Sequence, residues 1–184
     1  MDDAEGCIAL GFSESDPLSP VISRVVGSVR QWERQYDEAL AICAKLSNGN
    51  PTFAIAHDSL AQAYWGKRMF AQIIEEWKAC GQISHDRYDI EFANALEQGF
   101  RSANWKGALT NAIEFRQAQR KNGYYSALII ATFYADLGNK EQAFHWLNIA
   151  YREHDWLLIS LNTVRPSAFD RRFAELVSKV GLPQ

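Results

Sequence analysis

Residues 53–80 read FAIAHDSLAQAYWGKRMFAQIIEEWKAC, and this stretch decides the fold class. Over 53–65 the apolar side chains fall at Ile55, Ala56, Leu60, Ala63 and Tyr64, a stripe with steps of three and four that only a helix keeps on one face. Gly66-Lys67-Arg68 interrupts it as a short turn. A second helical stretch then returns over 69–80. The unit is a helix, a tight turn and a helix, about as long as one supersecondary repeat.

The same pattern recurs on either side. Asp16-Pro17 and Asn50-Pro51 are turn signals 34 residues apart (50 − 16), each between two helical segments. Tyr36-Asp37-Glu38-Ala39-Leu40 is followed one period later by Phe70-Ala71-Gln72-Ile73-Ile74, again with the aromatic residue first. Further on, 124–137 reads as a helix with Leu128, Ala131, Tyr134 and Ala135 on one face. Gly138-Asn139 stops it, and 141–152 returns with Ala143, Leu147 and Ala150 in step. No run keeps a period of two, so no strand is expected and the fold class is all-α.

These residues resemble the tetratricopeptide repeat family. Its motif pairs small residues early in the first helix, sets a tyrosine three later, a small residue in the second helix and a proline near the end. Ile130-Ala131, Tyr134, Ala143, Leu147 and Ala150 match best, with Asp155 at the proline position. Leu60-Ala61 and Tyr64 match in the unit before the middle, where Ile73 replaces the small residue. Gly27, Ala39 and Pro51 match in the first unit, where Arg30 replaces tyrosine. Ala95-Leu96, Gly99, Ala108 and Phe115 form the weakest unit. The resemblance implies a right-handed superhelical stack of antiparallel helix pairs, closed by a C-terminal capping helix. It divides the chain into a half repeat at 1–19, units at 20–53, 54–87, 88–123 and 124–155, and a cap at 156–184. Small residues at Gly27, Ala61 and Ala131 let paired helices approach, and stacked neighbours bury what one unit cannot.

Both ends carry their own signals. EGCIALGF at 5–12 reads as the second helix of a preceding unit with Pro17 closing it, so the chain is expected to begin inside an array of a longer protein. The C-terminal stretch, with Leu161-Asn162-Thr163-Val164-Arg165-Pro166 and Asp170-Arg171-Arg172-Phe173, is similar to the closing segment of bacterial regulators. Those proteins carry repeats behind a winged-helix or protein-kinase domain. The proline of their aspartate-proline-arginine-phenylalanine stretch is missing here. Phe173, Leu176, Val177 and Val180 fit a capping helix, ended by Gly181 and Pro183.

Composition narrows the function. The net charge of −3 lacks the clustered Lys and Arg that phosphate tracking needs, so nucleic acid is not an expected partner of this segment. No apolar run reaches the ~20 residues of a membrane span, and no leader is visible, so membrane contact is not expected and the cytoplasm is. Cys7, Cys43 and Cys80 are too widely spaced for a zinc pair and odd in number, which suits free thiols in a reducing compartment. His57, His85, His145 and His154 give no helical pair with a carboxylate between. No nucleophile elbow or phosphate loop occurs, and His154-Asp155 has no nucleophile beside it. No metal, cofactor or catalytic residue is expected.

In tetratricopeptide geometry the first helix of each unit lines a concave groove. The resemblance places Arg24, Ser28 and Gln31, then Asp58, Gln62 and Trp65, then Glu97, Phe100 and Arg101, then Tyr125, Thr132 and Asp136 along it. Arg24, Ser28 and Ser59 stand where some members clamp a terminal carboxylate with lysine and asparagine, so that clamp is absent. Most of the six tryptophans (Trp32, Trp65, Trp77, Trp105, Trp146 and Trp156) are expected in the core, with Trp65 facing the groove. The expected function is a non-catalytic scaffold that holds a protein or peptide partner, as part of a larger bacterial regulator. A small-molecule sensor and an accessory region of a kinase or transcription regulator are the alternatives. Open ends of such stacks favour pairing, so a homodimer is also among the expected partners.

Overall fold

The structure is a computed structural model and describes residues 19–123, 125–163 and 171–181. The half unit read at 5–12, the Asp16-Pro17 turn, residues 164–170 of the closing segment and its 182–183 end lie outside the described residues. Everything described is helix, turn or link, with no strand among the described residues. Helix α1 spans Ser19–Trp32, α2 Tyr36–Gly49, α3 Ala54–Gly66 and α4 Phe70–Ser84. Helix α5 runs Arg87–Gln119 with non-helical backbone at Ala103 and Asn104. Then come α6 (Ala127–Asp136), α7 (Lys140–Arg152), a 3-10 helix (Trp156–Thr163) and α8 (Arg171–Val180). Two boundaries differ from the periodic reading. Helix α4 continues past Cys80 to Ser84, with Gly81 lying against the start of α5. Helix α6 starts three residues later than position 124, because the Ser126 hydroxyl caps it by accepting from the Ile129 N–H at 3.4 Å.

The chain forms two compact units, Met1–Asn94 and Ala95–Gln184. In the first, α1 packs on both α2 and α3, α2 packs on α3, and α3 packs on α4. Ala39 and Cys43 of α2 meet Leu60 and Ala63 of α3 in its core. Small residues permit these approaches. A Cβ on Gly27 would lie 2.8 Å from Cys43 Sγ, and one on Gly66 would overlap the Tyr36 ring. A Cβ on Gly81 would lie 3.0 Å from the Ile90 backbone nitrogen at the start of α5.

In the second unit α6 pairs with α7, and α8 packs on α7 and on the 3-10 helix. Leu176 and Val177 of α8 join Ala127, Leu128, Ala131, Phe144, Leu147, Ala150, Leu158 and Leu161 in one core. Each large aliphatic side chain so withdrawn from water contributes roughly 1.5–3 kcal/mol. Gly181, at φ +79°, ends α8 in the left-handed conformation.

The turns after α1, α3 and α6 share one backbone solution, which also ends α7, where His154 has φ 53° and the Asp155 N–H reaches the Ala150 carbonyl at 2.9 Å. The second residue past α1, α3 and α6 is left-handed: Arg34 (φ 63°), Arg68 (φ 60°) and Gly138 (φ 77°). The next N–H reaches back five residues in each case: Gln35 to the Arg30 carbonyl at 2.9 Å, Met69 to Tyr64 at 3.1 Å, Asn139 to Tyr134 at 2.9 Å. This is the Schellman closure of a helix C-terminus. Arg34 and Arg68 are 34 positions apart (68 − 34). The break inside α5 departs from it: Asn104 has φ 53° with ψ −146°. There the two helical segments cross at Gly99 and Gly107, whose hypothetical Cβ atoms would each overlap the other's backbone carbonyl.

Candidate functional site

The twelve residues placed on the groove by sequence all lie within the described regions, six in each unit. In the first unit, Arg24, Ser28 and Gln31 stand on α1, and Asp58, Gln62 and Trp65 on α3. Because α1 packs on α3, Gln31 Nε2 donates to the Ser59 carbonyl at 3.3 Å and fixes one face beside the other. The Ser28 hydroxyl donates to the Arg24 carbonyl at 3.1 Å within its own helix.

Asp58 organises the other half of this face. Its Oδ1 accepts from Trp77 Nε1 at 3.0 Å, and its Oδ2 accepts from Gln62 Nε2 at 2.7 Å. Trp77 in turn stands 5.8 Å from the Trp65 ring at 54° and 5.3 Å from Phe92 at 60°. Phe92 stacks on Tyr88 at 6.3 Å and 8°. Asp58 therefore orients a row of aromatic rings, with Gln62 exposed at its edge, while Arg24 is exposed on α1 and is not brought to this row. Trp77, Tyr88 and Phe92 were missed by sequence reasoning: Trp77 lies on a second helix, and Tyr88 and Phe92 lie on a first helix but not at the positions that the repeat phase turns toward the groove. The signal available was the aspartate at 58 and the tryptophan at 65, both one or two turns from a facing helix rich in aromatics.

Two thiols sit beside this carboxylate. Burial pushes the Cys43 thiol up to about 11, against a hydrogen bond from Gln31 that lowers it, with Asp58 adding a further rise. Burial pushes Cys80 up to about 12, reinforced by the negative charges of Asp58 and Asp89. Both are protonated at neutral pH and are poor nucleophiles.

In the second unit, Glu97 and Arg101 form an ion pair at 2.8 Å one helical turn apart, with Phe100 half-buried between them in sequence. The Tyr125 carbonyl accepts from Arg120. The Thr132 hydroxyl donates to the Ile129 carbonyl at 2.7 Å. Asp136 is half-buried at the end of α6.

The tryptophan expectation is corrected. Trp105 is buried and Trp65, Trp77 and Trp146 are half-buried, but Trp32 and Trp156 are exposed, at 52% and 67%. Trp32 lies on the outward stripe of α1. Trp156 opens the 3-10 helix on the same side as Ile159, three residues on, because a 3-10 helix repeats every three residues.

One trio has the residue types of a hydrolytic relay but not its geometry. The Ser47 hydroxyl is 3.5 Å and the Glu76 carboxylate 2.8 Å from the same ring nitrogen, His57 Nδ1. A relay needs the nucleophile and the orienting carboxylate on opposite nitrogens. Here Nε2 faces the Pro51 carbonyl at 3.3 Å instead, and the ring ties the link before α3 to α4. Among the described residues no group of three His, Cys, Asp or Glu side chains is placed to hold a metal ion, and no helix is long and apolar enough to cross a membrane. Comparison with protein-family models, with curated proteins and with solved structures finds no match for this chain.

Proposed function

We propose that this chain is a tetratricopeptide-type scaffold that binds a peptide or helix of a partner protein and catalyses no reaction. The observation that carries the reading is the repeated turn. Arg34 and Arg68, 34 positions apart, close α1 and α3 with the same left-handed residue and the same five-residue backbone hydrogen bond, and Gly138 closes α6 likewise. Such closures are common at helix ends, so the support lies in the 34-residue recurrence of this one at the same point of two consecutive helix pairs. The contact of α1 with both its own partner α2 and the next first helix α3 also supports it, since that is how a repeat array buries a face one unit cannot bury alone.

In each unit the binding face is made by the first helices. On the first unit it offers ring surface at Trp65, held by Trp77 and Asp58, with the Gln62 amide at the edge. On the second it offers Phe100 and Arg101. Aromatic anchors ringed by hydrogen-bonding groups suit a peptide better than a small charged metabolite. The bacterial regulator context rests on the resemblance of the C-terminal segment, and the cytoplasmic location on the widely spaced cysteines read as free thiols of a reducing compartment.

Affinity capture followed by chemical crosslinking tests this. The wild-type chain and separate Trp65→Ala and Arg101→Glu variants are compared after circular dichroism shows equal helix content. A protein crosslinked near Trp65 or Arg101 in the wild type, and lost from the matching variant, supports the reading. Crosslinks confined to other faces and unchanged by both variants overturn it.

A further inference from the structure

Helix α1 exposes an apolar stripe that its packing does not explain. Val21, Val25, Val29 and Trp32 are 51%, 52%, 38% and 52% exposed. Their steps of four, four and three keep them on one face for three turns, roughly 16 Å. Buried Ser23 and Gly27 mark the opposite, inward side of the same helix. A run of apolar side chains this long and this exposed marks an interaction surface more often than a bare helix.

Its electrostatic setting narrows the occupant. The chain as a whole carries −3, yet positions 19–35 hold Arg24, Arg30 and Arg34 against Glu33 alone. Arg30 is taken up by Glu33 at 3.0 Å and Glu38 at 3.4 Å. Arg24 and Arg34 are exposed and have no ion-pair partner among the described residues. One stands beside Val21 and Val25, the other two residues beyond Trp32. Two exposed arginines thus stand near the two ends of the stripe along the chain, Arg24 within α1 and Arg34 in the turn that follows it.

We propose that α1 is a docking surface for an amphipathic helix of a partner protein, about three turns long, whose apolar face covers Val21, Val25, Val29 and Trp32 and whose carboxylates meet Arg24 and Arg34. This surface is distinct from the groove made by Trp65 and Gln62, and it stands or falls separately. Trp32 is the anchor, since a large ring with a polar edge gives most contact at least entropy cost. The arginines set orientation and discriminate against basic helices.

The probes are two fluorescein-labelled synthetic helices of about 14 residues with one shared leucine stripe, flanked by glutamate in one and lysine in the other. Anisotropy is measured against the full chain. The glutamate helix should bind wild type about tenfold more tightly than the lysine helix, and Arg24→Glu should remove that preference. Val25→Ser with Trp32→Ser should weaken the glutamate helix by about tenfold or more at unchanged helix content, while Trp65→Ala leaves it unaltered. Equal affinity for the two helices, no binding of either, or indifference to the Val25/Trp32 change overturns the proposal. So does a dimer in sedimentation velocity that the same double change abolishes, which would assign the stripe to a second copy. A disulfide between Val25→Cys and Cys7 of one chain would assign it to the chain itself and likewise overturn the proposal.

Discussion

Asp155 accepts a hydrogen bond from the Ser126 hydroxyl at 2.7 Å, across 29 residues of chain. The same oxygen takes the Leu128 N–H at 3.1 Å, and the other takes the Leu157 N–H at 3.2 Å. One carboxylate thus caps the start of α6 and the start of the 3-10 helix together. It is 2% exposed. Its replacement by alanine leaves two backbone donors and a hydroxyl unmet in a buried site.

Asp155→Ala should therefore lower the unfolding free energy by about 2–4 kcal/mol, and Ser126→Ala by about 1 kcal/mol. Asp155→Asn, which keeps one acceptor oxygen, should fall between them. Urea denaturation followed by circular dichroism measures all three. An Asp155→Ala loss below that of Ser126→Ala would mean that the carboxylate does not hold both helix starts.

Glycines at two kinds of position should respond with opposite sign. Gly99→Ala and Gly107→Ala each push a methyl into the facing carbonyl, where only backbone can give way, so a loss of about 2–3 kcal/mol or more is expected. Gly49, at the end of α2, has nothing within 4 Å of an added Cβ. Gly49→Ala should be neutral or stabilise by up to about 0.5–1 kcal/mol through helix propensity. Thermal melts of the three variants give the comparison.

The left-handed turns make a further contrast. Gly138→Ala should cost about 1–2 kcal/mol, because a Cβ is strained at φ +77°. Arg68→Gly removes such strain at φ 60° and should cost nothing or stabilise slightly. A large loss at Arg68→Gly would show that the arginine side chain, and not the turn, is what matters there.

The buried thiol makes alkaline stability fall. Cys43 titrates near 9 when unfolded and at about 11 when folded. Below pH 9 both states hold the proton and nothing is lost. Between pH 9 and 11 the unfolded thiol ionises first, so stability drops as pH rises, by about 2 kcal/mol near pH 10.5. The drop from pH 8 to 10.5 in wild type should exceed that in Cys43→Ala by this amount, measured by urea midpoint. In a chain with Cys7→Ser and Cys43→Ala, Asp58→Asn should move the Cys80 thiolate absorbance to lower pH, since the Asp58 charge opposes ionisation. An unchanged midpoint would exclude that coupling.

Helix content was legible because steps of three and four are visible without any partner: Ile55, Ala56, Leu60 and Ala63 announce α3, and Ala143, Leu147 and Ala150 announce α7. The turns were half legible. Gly138 reads as a helix stop, but Arg34 and Arg68 adopt the same left-handed conformation without glycine, and nothing in an arginine says so. The candidate face was legible as positions on first helices, not as chemistry. That Asp58 spends both oxygens on Trp77 and Gln62 depends on where a facing helix brings Trp77, 19 residues away in sequence.

The sequence alone determined an all-helical chain and the spacing of its helices, because helical periodicity and turn residues are local properties. The tertiary structure decided which side chains those helices share. It set Asp155 as a buried cap of two helix starts, Gly99 against Gly107 at a crossing, and Trp32 outside the core. The reason is physical: burial and hydrogen-bond partnership are properties of pairs of segments, and a stripe on one helix does not state what lies across from it.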